Sequence, residues 1–123
     1  MREILFKAKR IDNGEWIEGD LVHSVYKIND IWVGKYGSEI GMHQVNPDTV
    51  CQYTGLIDEN GNKIWENDIV NIVYSNFAGE VCHSDGYIIK DLRDACVIGW
   101  LDKANELEVI GNIIDNPELV ERN

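Results

Sequence analysis

Apolar residues along the chain come in short runs, and turn residues interrupt them before an ordinary helix could form. Ile4, Phe6 and Ala8 alternate with Leu5, Lys7 and Lys9, and Leu107-Glu108-Val109-Ile110 begins a similar pattern. A period of two is the mark of a strand with one face buried. Further runs rich in β-branched and aromatic residues cover 16–28, 31–35, 50–57, 69–74, 86–90, 95–101 and 107–114. Pairs such as Leu21-Val22 and Ile72-Val73 blur the alternation, which suggests strands covered on both faces or containing bulges. Asp12-Asn13-Gly14 and Glu59-Asn60-Gly61 are turn sequences, because Asn and Gly accept positive φ at little cost. Ile28-Asn29-Asp30-Ile31 is a weaker third. The density of short strands predicts a mostly β fold, a small barrel or sandwich of antiparallel strands.

Helix is scarce. Asn116-Pro117-Glu118 predicts a short C-terminal helical turn: Asn can cap, Pro suits the first helical position, and an acid favours the positive end of the helix dipole. Asp91–Ala95 is a second candidate for a helical turn. The segment 34–47, with three Gly, Met42 and His43, reads as an exposed loop able to carry a contact.

Trp16–Tyr26 aligns with Ile64–Tyr74 without a gap, with identity at Glu18/Glu66, Asp20/Asp68, Val22/Val70, Val25/Val73 and Tyr26/Tyr74. Each copy follows an Asn-Gly turn, so 12–26 and 59–74 form a possible internal repeat. The pattern predicts a turn, a short strand, a tight Glu-Gly-Asp or Glu-Asn-Asp corner and a buried strand, an order compatible with an SH3-like unit. Convergent turn chemistry in two hairpins would give the same likeness.

The length of 123 residues suits one domain. The apolar run 95–101 is far shorter than the roughly 20 residues of a membrane-spanning helix. Charge returns too soon after Met1 for a signal peptide. Cys51, Cys82 and Cys96 are odd in number and widely spaced, which predicts buried reduced thiols. These features together predict a cytoplasmic protein with no membrane association.

Net charge is −11 and lopsided: residues 1–50 hold six Lys/Arg against eight Asp/Glu, and residues 51–123 hold five against fourteen. Direct phosphate binding needs a basic groove or stripe, so no direct contact with nucleic acid is expected. The acidic second half raises the alternative of a nucleic-acid mimic that occupies a DNA-binding protein.

Tests for common chemistry fail. Cys82-His83 are adjacent rather than spaced as zinc ligands, and there is no Cys-x-x-Cys. Asp58, Asn60 and Asn62 match the start of an EF-hand loop, but Lys63 stands where Gly is needed and Ile69 where Glu is needed. No Gly-x-Ser-x-Gly, Walker loop or Gly-x-Gly-x-x-Gly occurs. Neither a catalytic residue nor a metal or cofactor ligand is expected, and a small hydrolase or nuclease is the weakest reading. Trp16, Trp32, Trp65, Trp100 and five Tyr are plentiful; most should be core, while one or two exposed among acids would suit protein binding.

Three blocks in order resemble a known family. They are Met1–Ala8, the stretch Gln52–Val70 with its Tyr53-Thr54-Gly55-Leu56-Ile57-Asp58 opening and Ile64-Trp65-Glu66-Asn67-Asp68-Ile69-Val70 close, and Glu108–Leu119 with Ile110-Gly111-Asn112 and Asp115-Asn116-Pro117-Glu118. Together they resemble the YopX family of small proteins encoded by bacteriophages and prophages. The one departure is Asn67, where the family usually has Gly, and Asn tolerates the same backbone. The resemblance implies a β-rich fold and a phage setting, and it carries over no catalytic residue. The motif positions read as structural: turns at Gly55 and Gly61, the start of a strand at Asp68, Gly111 in the closing block, and a cap at Asn116 and Pro117. A non-enzymatic accessory protein that binds a host or phage protein is the leading expectation, with a homo-oligomer as one form it could take.

Overall fold

A computed structural model describes residues 4–25, 30–73, 78–83, 86–93, 97–100 and 106–120. It contains short strands in two antiparallel sheets with isolated 3-10 turns, the expected mostly β fold. The chain divides into two compact units, Met1–Tyr53 and Thr54–Asn123.

In the first unit β1 (Phe6–Lys9), β2 (Trp16–His23), β3 (Ile31–Lys35) and β4 (Gly41–Val45) are joined in the order β4-β3-β2-β1, and the start of β5 (Cys51–Ile57) pairs with β1. Alternation sends Ala8, Ile17, Ile31, Val33 and Val45 into one core. Lys7 and Lys9 lie over the Trp16 ring, 4.5 and 5.5 Å from its centroid. The Asp12-Asn13-Gly14 turn forms as expected, with Gly14 at φ +72° and Arg10 N–H donating to the Glu15 carbonyl. The sheet then closes on itself: Arg10 bridges Val45, Ile11 N–H donates to the Gln44 carbonyl, and Asn46 N–H donates to the Lys9 carbonyl. These bonds use backbone groups that an open edge would leave unpaired.

Close backbone approach shapes this sheet. A Cβ on Gly19 would sit 2.2 Å from the Gly34 carbonyl oxygen, and one on Gly34 would sit 2.0 Å from the Gly41 carbonyl oxygen. Both glycines have positive φ, +154° and +149°. Glycine is therefore required twice over at Gly34, by backbone angle and by space. Of the segment 34–47, expected as an exposed loop, 36–40 is a largely exposed turn, while the rest is the end of β3, strand β4 and the start of the 3-10 turn Pro47–Thr49. Gly34 serves contact between strands, with the Gly41 carbonyl against it, whereas Gly37 lies in open space.

In the second unit β5 continues to pair with β6 (Lys63–Trp65). The strands β7 (Asp68–Ile72), β8 (Ala78–His83), β9 (Tyr87–Asp91), β10 (Val97–Trp100) and β11 (Leu107–Asn112) form a sheet in the order β10-β9-β8-β7-β11. Ile64, Val70, Val81, Ile89 and Leu107 make its core, with Leu56, Ile72, Tyr87 and Val109 against it.

Asp58 organises one end of this unit. It is 5% exposed. Its Oδ1 accepts from the Asn60 and Asn62 N–H groups, and its Oδ2 from the Val109 N–H, all at 2.9 Å. Glu59 N–H donates to the Leu107 carbonyl beside it. The acidic loop tested for calcium is thus a β5–β6 hairpin turn, tied by one carboxylate to a strand 51 residues away. Burial pushes the Asp58 carboxyl upward, but the bonds from Val109, Asn62 and Asn60 and from the Asn62 side chain outweigh it. Its pKa lies below the ordinary carboxylate value.

The two aligned segments differ in backbone. Glu66-Asn67 turns the chain between β6 and β7, with Asn67 at φ +75°, whereas Glu18-Gly19 lies inside the continuous strand β2. The predicted corner exists only in the later segment. The C-terminal helical turn is a 3-10 turn, Pro117–Leu119. Asp91 ends β9 rather than opening a helix, and 94–95 lie outside the described residues, as do Asn29 and Cys96.

Two stability predictions follow from these contacts. Gly34→Ala should destabilise the first unit by about 2–4 kcal/mol, because backbone must move as well as strain. Gly37→Ala, at φ +81° with open space around it, should cost only about 1–2 kcal/mol; urea unfolding followed by amide exchange at Val33 and Val45 measures both. Asp58→Asn places an amide where three donors need a carboxylate and should cost the second unit roughly 2–4 kcal/mol near neutral pH. A carboxyl with a depressed folded pKa stabilises above its unfolded value and loses that contribution as pH falls through the folded one. The gap between wild type and Asp58→Asn should therefore be full above the reference value of 3.8 and shrink below it, as read from denaturation at stepped pH.

Candidate functional site

Large apolar side chains left in solvent are unevenly divided. Among the described residues Ile4, Ile11, Val22, Val25, Trp32, Tyr36 and Ile40 are exposed in the first unit, against Ile57, Ile110 and Leu119 in the second. Scattered apolar residues are ordinary on a surface, so grouping is the informative feature. Val22, Trp32, Tyr36 and Met42 do group: with Asp20 they line a groove of about 450 Å³ on the outer face of β2, β3 and β4.

The register explains the groove. Val22 lies opposite Trp32, Asp20 opposite Gly34, and Gly34 opposite Met42. Ile31 and Val33 point into the core, so alternation turns Trp32 outward. The Trp32 Nε1–H donates to Asp30 Oδ1 at 2.7 Å, which fixes the indole by its edge. Tyr36, 92% exposed, stands at the tip of the β3–β4 hairpin. A second depression, lined by Arg10, Glu15, Trp16, Ile17, Glu18 and Ile40, is more polar and carries charges of both signs.

The acids of the second half do not form one solvent-facing set. Asp58, Asp68, Glu80 and Asp91 are buried. Asp68 Oδ2 accepts from the Trp65 N–H at 2.8 Å across the β6–β7 turn. Asp91 accepts from Arg93 through its backbone N–H at 2.8 Å and its guanidinium at 3.3 Å. The three aspartates organise turns, so their charge is spent inside the fold.

The motif positions read from sequence separate into three places. Gly61 is in the Asp58 hairpin turn at φ +85°, and its N–H donates to the Asp58 carbonyl. Gly55 is not in a turn: it lies inside β5 at φ +88°, beside Thr54, whose buried hydroxyl donates to the Ile64 carbonyl and accepts from the Leu56 N–H. Asp68, Gly111 and Asn116 come together, since Asp68 pairs with Asn112 and the Asn116 Oδ1 accepts from the Asn112 N–H at 3.2 Å. A Cβ on Gly111 would meet that Oδ1 at 2.6 Å. Asn116 precedes the 3-10 turn at Pro117, but its side chain makes no cap bond to it. Asn46 does cap its turn, accepting from the Asp48 N–H. The motif Asn46-Pro47-Asp48 repeats the sequence pattern of Asn116-Pro117-Glu118 and could have been found by it.

Among the described residues no cluster of His, Cys, Asp and Glu could hold a metal ion. Cys51 is buried, with its thiol toward the Thr49 carbonyl, and Cys82 is half-buried; neither is in a disulfide. No helix among the described residues is long and apolar enough to cross a membrane.

Comparison with known proteins agrees with the fold. The chain is similar to the crystal structure of protein EF1440 from Enterococcus faecalis, with a TM-score of 0.64 and 24% sequence identity over 98% of this chain and 100% of that chain. No curated protein matches it. The family model described as YopX protein matches residues 5–121, including the Gln52–Val70 and Glu108–Leu119 blocks. With nearly its whole length matched, the chain belongs to the YopX family.

Proposed function

We propose that this protein is a non-enzymatic accessory module, encoded by a phage or prophage, that acts in the bacterial cytoplasm by binding another protein of phage or host. The observation that carries the reading is the grouping of Val22, Trp32, Tyr36 and Met42 in one exposed groove with Asp20 at its wall. Apolar surface in water is unfavourable by about 25 cal/mol per Å², and a partner that covers it recovers that energy. Trp and Tyr dominate binding hot spots because they bury large area with few rotatable bonds. A second copy of the chain is one partner that would satisfy the same surface.

The nucleic-acid mimic draws less support. It needs exposed carboxylates at regular spacing, and four of the later acids are buried. The phage setting rests on the family, and no cofactor or metal is invoked.

Photo-cross-linking in bacterial cells tests the reading. A benzoylphenylalanine at position 36 should give adducts with another protein or a second copy, while the same group at position 57 should not. Replacing Trp32 and Tyr36 together by Ser should weaken the complex at least about tenfold and leave unfolding of the chain nearly unchanged. Adducts from position 57 alone, or a complex indifferent to the double replacement, would contradict it.

A further inference from the structure

We infer that the groove of the first unit is a receptor for a single basic side chain, a lysine or arginine presented by the partner. The inference rests on the protein-binding reading above and names the group that is recognised.

Three properties of the groove point to a long cation. Its walls at Val22 and Met42 are apolar and suit a methylene stem. Two aromatic rings, Trp32 and Tyr36, line it, and the face of an aromatic ring attracts a cation. The Asp30 carboxylate on the indole N–H holds Trp32 by its edge and leaves the ring face to the ligand. The third property is Asp20, which lines the groove and whose carboxylate makes no hydrogen bond or ion pair with other described residues.

Charge selects among occupants. A Leu or Phe anchor would fill the apolar part but strip water from Asp20 without replacing it, which is unfavourable. An ammonium or guanidinium supplies that missing partner. None of the lining residues is basic, and the net charge of −11 favours a cationic approach from a distance. The volume of about 450 Å³ lies within the range of about 300–1,000 Å³ usual for small-ligand sites. Register places Asp20 and Met42 on the two strands that flank β3, each opposite Gly34, so both walls belong to one groove.

Titration of the full chain with N-acetyl-lysine amide, N-acetyl-arginine amide and N-acetyl-norleucine amide tests this by NMR. The Trp32 indole N–H and the amides of Val22, Gly34 and Met42 report on the groove. The lysine or arginine probe should shift these signals saturably, and norleucine, which keeps the stem and lacks the charge, should bind at least about threefold more weakly. Asp20→Asn should weaken the cationic probe by a similar factor, and Trp32→Leu should weaken it too, with the dispersion of the remaining amides showing that the fold is intact. Equal binding of norleucine, affinity unchanged by Asp20→Asn, or no response in the groove would overturn the inference. The first of these would leave a purely apolar docking surface, so the protein-binding reading would survive. Binding of the cationic probe without any cross-link from position 36 would instead remove the protein partner and keep the site.

Discussion

The first unit depends on one constraint, the close approach of backbone between β2, β3 and β4 at Gly19, Gly34 and Gly41. Carbonyl oxygens occupy the space in which side chains would begin. This brings three short strands together tightly enough for β1 and β4 to meet through Arg10 and Val45, which closes the sheet around Ala8, Ile17, Ile31, Val33 and Val45. The same three strands carry the groove, because Val22, Trp32 and Met42 meet on their outer face.

The second unit solves a different problem. Its β5–β6 turn and the strand β11 are far apart in sequence, and Asp58 joins them by accepting three backbone N–H groups with one carboxylate. Asp68 does the same at smaller scale for the β6–β7 turn. Charge-assisted bonds to backbone amides are worth more than neutral ones, which helps a unit whose strands are short. Part of the acidity of the second half is thus structural. What distinguishes the first unit is the opposite: an aspartate left without a partner among the described residues, beside exposed aromatics.

Much of the fold was legible because local patterns and tertiary structure agree. Phe6 and Ala8 alternate with Lys7 and Lys9, the Asn-Gly turns fall where predicted, and Asn116-Pro117 announces the last turn. Strand β4 was not legible: Gly41-Met42-His43-Gln44-Val45 lacks β-branched residues until its end, and its glycine looks like looseness until Gly34 is seen against it. The corner proposed at Asp20 failed because similar residues met different neighbours; Gly19 is held inside β2 by β3, whereas Asn67 is held in a turn by the Val81 carbonyl and the Ile113 N–H. Nor could sequence select which of 22 acids go inside, since Asp58 is buried by a bond to Val109. The groove was half legible. Ile31-Trp32-Val33 marks Trp32 as facing away from its neighbours, but its meeting with Tyr36, Met42 and Asp20 depends on the β3–β4 pairing.

The central claim is that the outer face of β2, β3 and β4 is where this protein meets its partner. Hydrogen–deuterium exchange on the chain alone and in the complex it forms measures this directly. Protection gained over 20–23, 31–36 and 41–44, with little change beyond residue 54, is the predicted result. Protection confined to residues 54–123 would contradict the account.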